Sequence, residues 1–383
     1  MQRLSIWSLG VLLLLFTAGC DDPSAVGLGL IGEEGIPQTV RLPVDSVLTA
    51  SQRDRTGNTS QVLAGRVADP LFGTLAATGY LDFIRSPGTR VDTTIVSVRL
   101  ELRRSYLYGD TLAPVTLALH DMLEDWPFSG VASDTTLSAG PQVRTFTFAP
   151  TDTLVQVELP ADWIAVHDTT LRSNTFSTSF HGFQLTPVAG NAVVGFRFAT
   201  ARMVIITATD TLTFTASKAL TTVVQERTAS LPDGRALLQD GTGSIVRLRF
   251  NFLADSVYEA GLHAAVLEVP LDSVRLQQQP AGFVRPLPPT IRLIGVDADG
   301  NVPITSLGTP VVLATATPAD GRLRFRLTGT ALQTLQRLML GETPIQYLQL
   351  EFPTEDNTLS PLLLYAEPSQ GPILILILTP PSS

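Results

Sequence analysis

Cysteine is almost absent: the 383 residues contain one, Cys20, so no disulfide can staple the fold. Lysine is as scarce. Lys218 stands alone against a background of arginine, which reads as genome composition or a hot or salty habitat rather than a binding surface. Beyond the first twenty residues the longest apolar run is Ile373 to Leu378, far short of the roughly 20 residues a membrane-spanning helix needs. The four histidines, His120, His167, His181 and His263, are far apart, with no two at ligand spacing, which argues against zinc or non-haem iron. There is no Gly-x-Ser-x-Gly elbow, phosphate loop or dinucleotide fingerprint, so no cofactor is expected. A net charge of −9 argues against nucleic acid and against adsorption to anionic lipid.

What is present begins at the N-terminus. Arg3 precedes the apolar run Leu9 to Phe16 and then Thr17-Ala18-Gly19-Cys20, the plan of a signal peptide over 1–19. Ala18-Gly19-Cys20 resembles the lipobox of bacterial lipoproteins, although Thr17 stands where leucine is usual. That resemblance implies cleavage before Cys20 and a lipid on its sulfur, which anchors the protein to a membrane; the bacterial outer membrane with surface exposure is the expectation, and Asp21 after the lipid cysteine leaves inner-membrane retention as the alternative. The alternative is a buried cysteine after an ordinary secretory signal. Residues 20–38 are rich in glycine and acidic side chains without periodicity, as a tether between lipid and folded body would be.

From Thr39 onward the pattern alternates. Val96, Val98, Leu100 and Leu102 interleave with Ser97, Arg99, Glu101 and Arg103, and the same period of two recurs in 155–159, 246–252, 323–327 and 348–352. Two short helices are expected, Ala161 to His167 after Pro160, and Ala331 to Leu340 with Thr330 as N-cap and Gly341 as stop. The order of elements repeats. Residues 79–83, 98–102, 155–159, 180–185 and 203–206 parallel 247–252, 265–269, 323–327, 347–350 and 373–378, a degenerate duplication with a period of about 170 residues. The expected fold is all-β: two tandem antiparallel β-sandwiches of jelly-roll type with one short helix each, over 39–210 and 211–383.

Leu63 to Thr74, Val91 to Leu102 and Tyr108-Gly109-Asp110, together with the acidic segment after Cys20, resemble a family of bacterial outer-membrane lipoproteins catalogued only as a domain of unknown function. Leu237 to Gly243 is similar to the second half of that family, although Asp240 interrupts the glycine-rich stretch. The family brings no catalytic residues. Each half also looks distantly like the jelly-roll modules beside bacterial carbohydrate enzymes, a likeness of fold alone.

Few residues nominate themselves for binding. Asp297, Asp299 and Asn301 could present oxygens to calcium, but the same Asp-Gly-Asn run is what a hairpin turn needs, and the turn is the better reading. Asp69-Pro70 reads as a turn as well. Tyr106 and Tyr108, at strand spacing before Gly109, are candidates to stack on a ligand, with core packing as the plainer alternative; Tyr80, Trp126 and Trp163 are weaker candidates. The expected function is a non-enzymatic binding or structural role for a lipid-anchored protein whose partner is an outer-membrane protein or a glycan. The alternatives are a carbohydrate-binding surface lipoprotein and, third, a glycan hydrolase or lyase with carboxylates distant in sequence.

Overall fold

The computed structural model describes residues 36–380 apart from 52–54, 58, 229, 254–256, 258, 304–310 and 354–357. The expected signal peptide, Cys20 and most of the tether lie outside the described residues. The fold is all-β, and every strand pairing is antiparallel. No helix among the described residues is long and apolar enough to cross a membrane.

Local sequence explains the strands well. In Arg322–Leu327, Leu323, Phe325 and Leu327 are buried and the three arginines between them are exposed. In Ile95–Asp110 the same alternation holds from Val98, but Val96 is 64% exposed and Ile95 takes the core position instead. The register of this strand against Arg202–Thr207 shifts between Ile206 and Thr207, and one extra residue turns the side chains over. The helix Thr330–Met339 buries Ala331, Leu335 and Met339, and its N-cap is Gly329 rather than Thr330. Ala161–Arg172 extends well past His167, to twelve residues. Two short helices, Phe176–Ser179 and Ser273–Gln277, lie in stretches too brief to show a period.

In the N-terminal half, six strands close on themselves. The order is Thr211–Thr228, Arg202–Thr207, Ile95–Asp110, Ala192–Arg197, Gln61–Asp69 and Gly73–Arg85, and the last pairs again with Thr211–Thr228. Phe183–Ala189, Val115–Met122 and Ala139–Phe148 continue the sheet from Gly73–Arg85. In the C-terminal half, two sheets stay separate: Gln38–Pro43, Ile373–Thr379, Gly261–Pro270 and Arg322–Leu327 form one. The other runs Val312–Ala316, Ile291–Val296, Tyr347–Glu351, Ser244–Arg249, Arg235–Gln239 and Pro361–Tyr365, with Ser46–Ser51 also on Ser244–Arg249. Leucines of both sheets, among them Leu267, Leu293, Leu348 and Leu376, share one apolar cluster.

The registers match between halves. Leu100 faces Val157 and Leu267 faces Phe325; Val98 faces Ile205 and Ala265 faces Leu376. Val194 faces Ala64 and Leu363 faces Leu237. Each pair lies about 170 residues from its counterpart, the offset of the sequence duplication.

The pairing crosses the expected division at 210/211. Thr211–Thr228, which opens the second repeat, lies on Arg202–Thr207 and Gly73–Arg85 of the first. Reciprocally, Gln38–Pro43 and Ser46–Ser51, which open the first repeat, lie on Ile373–Thr379 and Ser244–Arg249 of the second. Each repeat has handed its first strand to the other. Alternation reports which face of a strand is buried and is silent about which half buries it, so a division drawn from sequence order places both strands with the wrong neighbours.

Candidate functional site

The halves meet around Asp69. Its backbone ends the strand Gln61–Asp69, and its Oδ1 accepts from the N–H groups of Leu71 at 2.7 Å and Phe72 at 3.2 Å, the turn the sequence suggests at Asp69-Pro70. Arg285, from the other half, grips the same carboxylate with Nε at 2.6 Å from Oδ2 and Nη2 at 3.0 Å from Oδ1. Arg285 Nη1 donates to the carbonyls of Leu276 and Gln278, and the Tyr108 hydroxyl donates to Asp69 Oδ2 at 2.8 Å. Asp69, Tyr108 and Arg285 are all buried. Burial, and secondarily the charge of Asp69, pushes the Tyr108 hydroxyl well above its ordinary pKa.

Immediately outside this knot is a cleft of about 660 Å³. Pro70 and Leu71 of the first half form one wall, and Arg235, Asp272, Val274, Arg275, Gln278, Arg285 and Tyr365 of the second half form the rest. Arg235 and Tyr365 are direct cross-strand partners, which sets the guanidinium 3.9 Å from the tyrosine ring centre. Asp272 is buried and fully engaged. Its Oδ1 caps the helix Ser273–Gln277 through the Arg275 N–H, and its Oδ2 lies 2.7 Å from Arg235 Nε and 3.5 Å from Arg275 Nε. Two guanidinium groups therefore stand side by side on one carboxylate oxygen, leaving one positive charge over.

The ligand-stacking candidates Tyr106 and Tyr108 are 8% and 0% exposed, so their rings face the core and cannot receive a ligand. Tyr108 packs edge-on against Phe283, and the Tyr106 hydroxyl accepts from the Leu359 N–H at 3.1 Å. Tyr80, Trp126 and Trp163 are buried too. The Trp163 indole N–H donates to both oxygens of Asp121, which fastens helix Ala161–Arg172 to strand Val115–Met122. Asp297, Asp299 and Asn301 form a turn. Asp297 Oδ1 accepts from the N–H groups of Asp299 and Asn301, its Oδ2 accepts from the Asn301 amide, and these bonds hold its carboxyl below the usual range. The strand that pairs back on Ile291–Val296 is Val312–Ala316, later than a tight hairpin at Val302 implies. Among the described residues no group of three or more His, Cys, Asp or Glu could hold a metal ion. Cys20, the proposed lipid site, lies outside the described residues.

Sequence reasoning missed Arg235, Asp272, Arg275, Arg285 and Tyr365. They come from four segments, and the only local signal was Asp272 followed by Ser273, a helix start before a helix too short to recognise. The Asp240 that interrupts the glycine-rich stretch proves to be a buried clamp. Its Oδ2 accepts from the Thr358 N–H at 2.6 Å and from the Thr358 hydroxyl at 2.9 Å.

A second polar cluster surrounds the lone lysine. Lys218 Nζ is 3.8 Å from Asp82, is bonded to Asp125, and lies 5.5 Å above the Trp126 ring. Asp82 is buried, and loss of solvent raises its pKa to about 6 despite the Phe83 N–H and Lys218. Compared with protein-family models and with the curated proteins, the chain matches none of them.

Proposed function

We propose that this is a lipid-anchored binding protein of the bacterial outer envelope, tethered through Cys20 and carrying an all-β body that holds a ligand or protein partner without transforming it. The anchor rests on Arg3, the apolar run Leu9 to Phe16 and Ala18-Gly19-Cys20. The observation that carries the binding reading is the cleft between the halves. Asp272 in its lining and Asp69 in the knot beside it are occupied by arginine and backbone donors, so they serve to hold guanidinium groups in place rather than to move protons. Arginines held in this way suit recognition, because their forks are ordered before anything arrives.

Two measurements test the proposal. Intact mass of the mature protein should show an N-terminal acylated Cys20 with partition into detergent, and Cys20→Ser should release the protein or block its processing. Affinity purification from membranes should recover a partner or glycan. A mature N-terminus elsewhere overturns the anchor. Sustained turnover of a polysaccharide, peptide or ester, abolished by Asp82→Asn with the circular dichroism unchanged, overturns the non-enzymatic reading.

A further inference from the structure

The cleft has a surplus charge with no partner among the described residues. Arg285 is neutralised by Asp69, while Arg235 and Arg275 share the single carboxylate of Asp272. Arg235 spends Nε on Asp272 and Nη1 on the Gly234 carbonyl, and Arg275 meets Asp272 through Nε. Nη2 of Arg235 and both terminal nitrogens of Arg275 make no hydrogen bond to the described residues. Glu367 packs against Gly234 but forms no ion pair with either arginine. Unspent planar N–H donors on neighbouring guanidinium groups match a carboxylate in two-point geometry.

We propose that this cleft binds a carboxylate-bearing sugar of the uronic acid type, an inference that rests on the binding reading above. The carboxylate lies between Arg235 and Arg275 and cancels the one surplus charge. The remainder of the ring occupies a cleft far larger than a bare anion needs, against Pro70, Leu71 and Val274, with Gln278 available to its hydroxyl groups. The Arg235 guanidinium lies over the Tyr365 ring and both line the cleft, so the sugar meets a ring-held arginine rather than a bare aromatic platform.

Calorimetric titration of the full chain in detergent with digalacturonate, galactobiose and inorganic phosphate tests this. Digalacturonate should bind, with affinity falling as salt is added, and galactobiose should not. Arg275→Gln, at a half-exposed position, should weaken binding by about tenfold or more with the circular dichroism unchanged. Arg235→Lys should do the same although it keeps the charge, because the fork and the ring stacking are lost. No binding of digalacturonate, equal binding of galactobiose, or full affinity in Arg275→Gln overturns the proposal, and tighter binding of phosphate overturns the carboxylate. If the cleft fails while Cys20 is acylated and a partner is captured, the uronate site alone falls. If Cys20 carries no lipid, the broader reading falls independently.

Discussion

The two halves carry the same strands in the same registers, yet one closes into a ring and the other remains two sheets. At both places where they part, the second-half strand ends on a proline. In the first half, Thr215 pairs with Arg202 on one side and Ile84 on the other, so the strand Thr211–Thr228 runs unbroken between sheet regions. Its counterpart in the second half stops at Pro43, and the chain changes sheets at Val44-Asp45, held by bonds to Pro372 and Arg249. Likewise Ile95–Asp110 continues far enough to pair with Ala192–Arg197, whereas Gly261–Pro270 ends at Pro270 and leaves only the isolated Leu271 to Leu364 bridge. Proline has no N–H to give a ladder; Pro43 and Pro270 are the last residues of their strands, whereas Pro187 is carried inside Phe183–Ala189 with a register shift after it. The interruption at Pro270 frees the segment that becomes Asp272 and the helix Ser273–Gln277, and the cleft is built on it.

Equivalent positions have also diverged. Lys218 faces Asp82 where Ser46 faces Arg249, and the Tyr80 hydroxyl accepts from Gln184 where Arg247 donates to Gln349. In the first half Trp126, Met122 and Val131 cover Tyr80 in a small apolar cluster. In the second, Gly300 of the Asp297 turn lies against the Arg247 guanidinium. A side chain added at Gly300 would collide with that guanidinium, and its φ of +87° suits glycine in any case.

The largest effect should come from cutting along the sequence boundary. A fragment of residues 39–210 should fail to fold, because Gly73–Arg85 loses Thr211–Thr228 while 39–51 loses both of its partners. Circular dichroism and limited proteolysis would show it, and a cooperatively folded fragment would refute the strand exchange. Next is Asp69→Ala, which strands a buried arginine and should cost about 3–5 kcal/mol in denaturant unfolding. Thr215→Pro, which copies the second half into the first, should cost about 3 kcal/mol or more, with faster hydrogen exchange along Gly73–Arg85 and Arg202–Thr207. If the variant is as stable as the parent, continuity of that strand is not what closes the ring.

The smallest effect is pH-dependent. The folded-state pKa of Asp82 is raised from 3.8 to about 6, so the folded protein holds this proton more tightly than the unfolded chain does. Its contribution is complete below pH 3.8 and lost as the pH rises through about 6. Asp82→Asn keeps the neutral shape at every pH and should gain about 1–2 kcal/mol relative to the parent above pH 7, after allowing for the lost attraction to Lys218. Thermal unfolding at pH 4 should show little of that gain. An equal gain at both pH values would mean that Asp82 titrates normally.

The comparison also shows how far the sequence could be read. Alternation in 98–102 and 323–327 identified strands with the correct buried faces, and the Leu335 helix is where its period places it. Val96, which the alternation puts on the buried face, is exposed instead, because a bulge depends on the partner strand as much as on its own residues. Tyr106 and Tyr108 were legible as strand residues with core packing as the plainer reading, but their partners were not, since Phe283, Asp69 and Leu359 are distant along the chain.

The sequence by itself determined the all-β class, the repeat period and the short apolar run before Cys20. Each of these is read along the chain, from side-chain period or from the length of an apolar run. Only the tertiary structure decided that the repeats exchange their first strands, that Arg285 crosses to Asp69, and that Arg235 and Arg275 share Asp272. The physical reason is that a backbone ladder accepts any strand of suitable face and register, and a buried charge any opposite charge within reach. Which strand and which charge arrive is settled by packing between segments that the linear order keeps far apart.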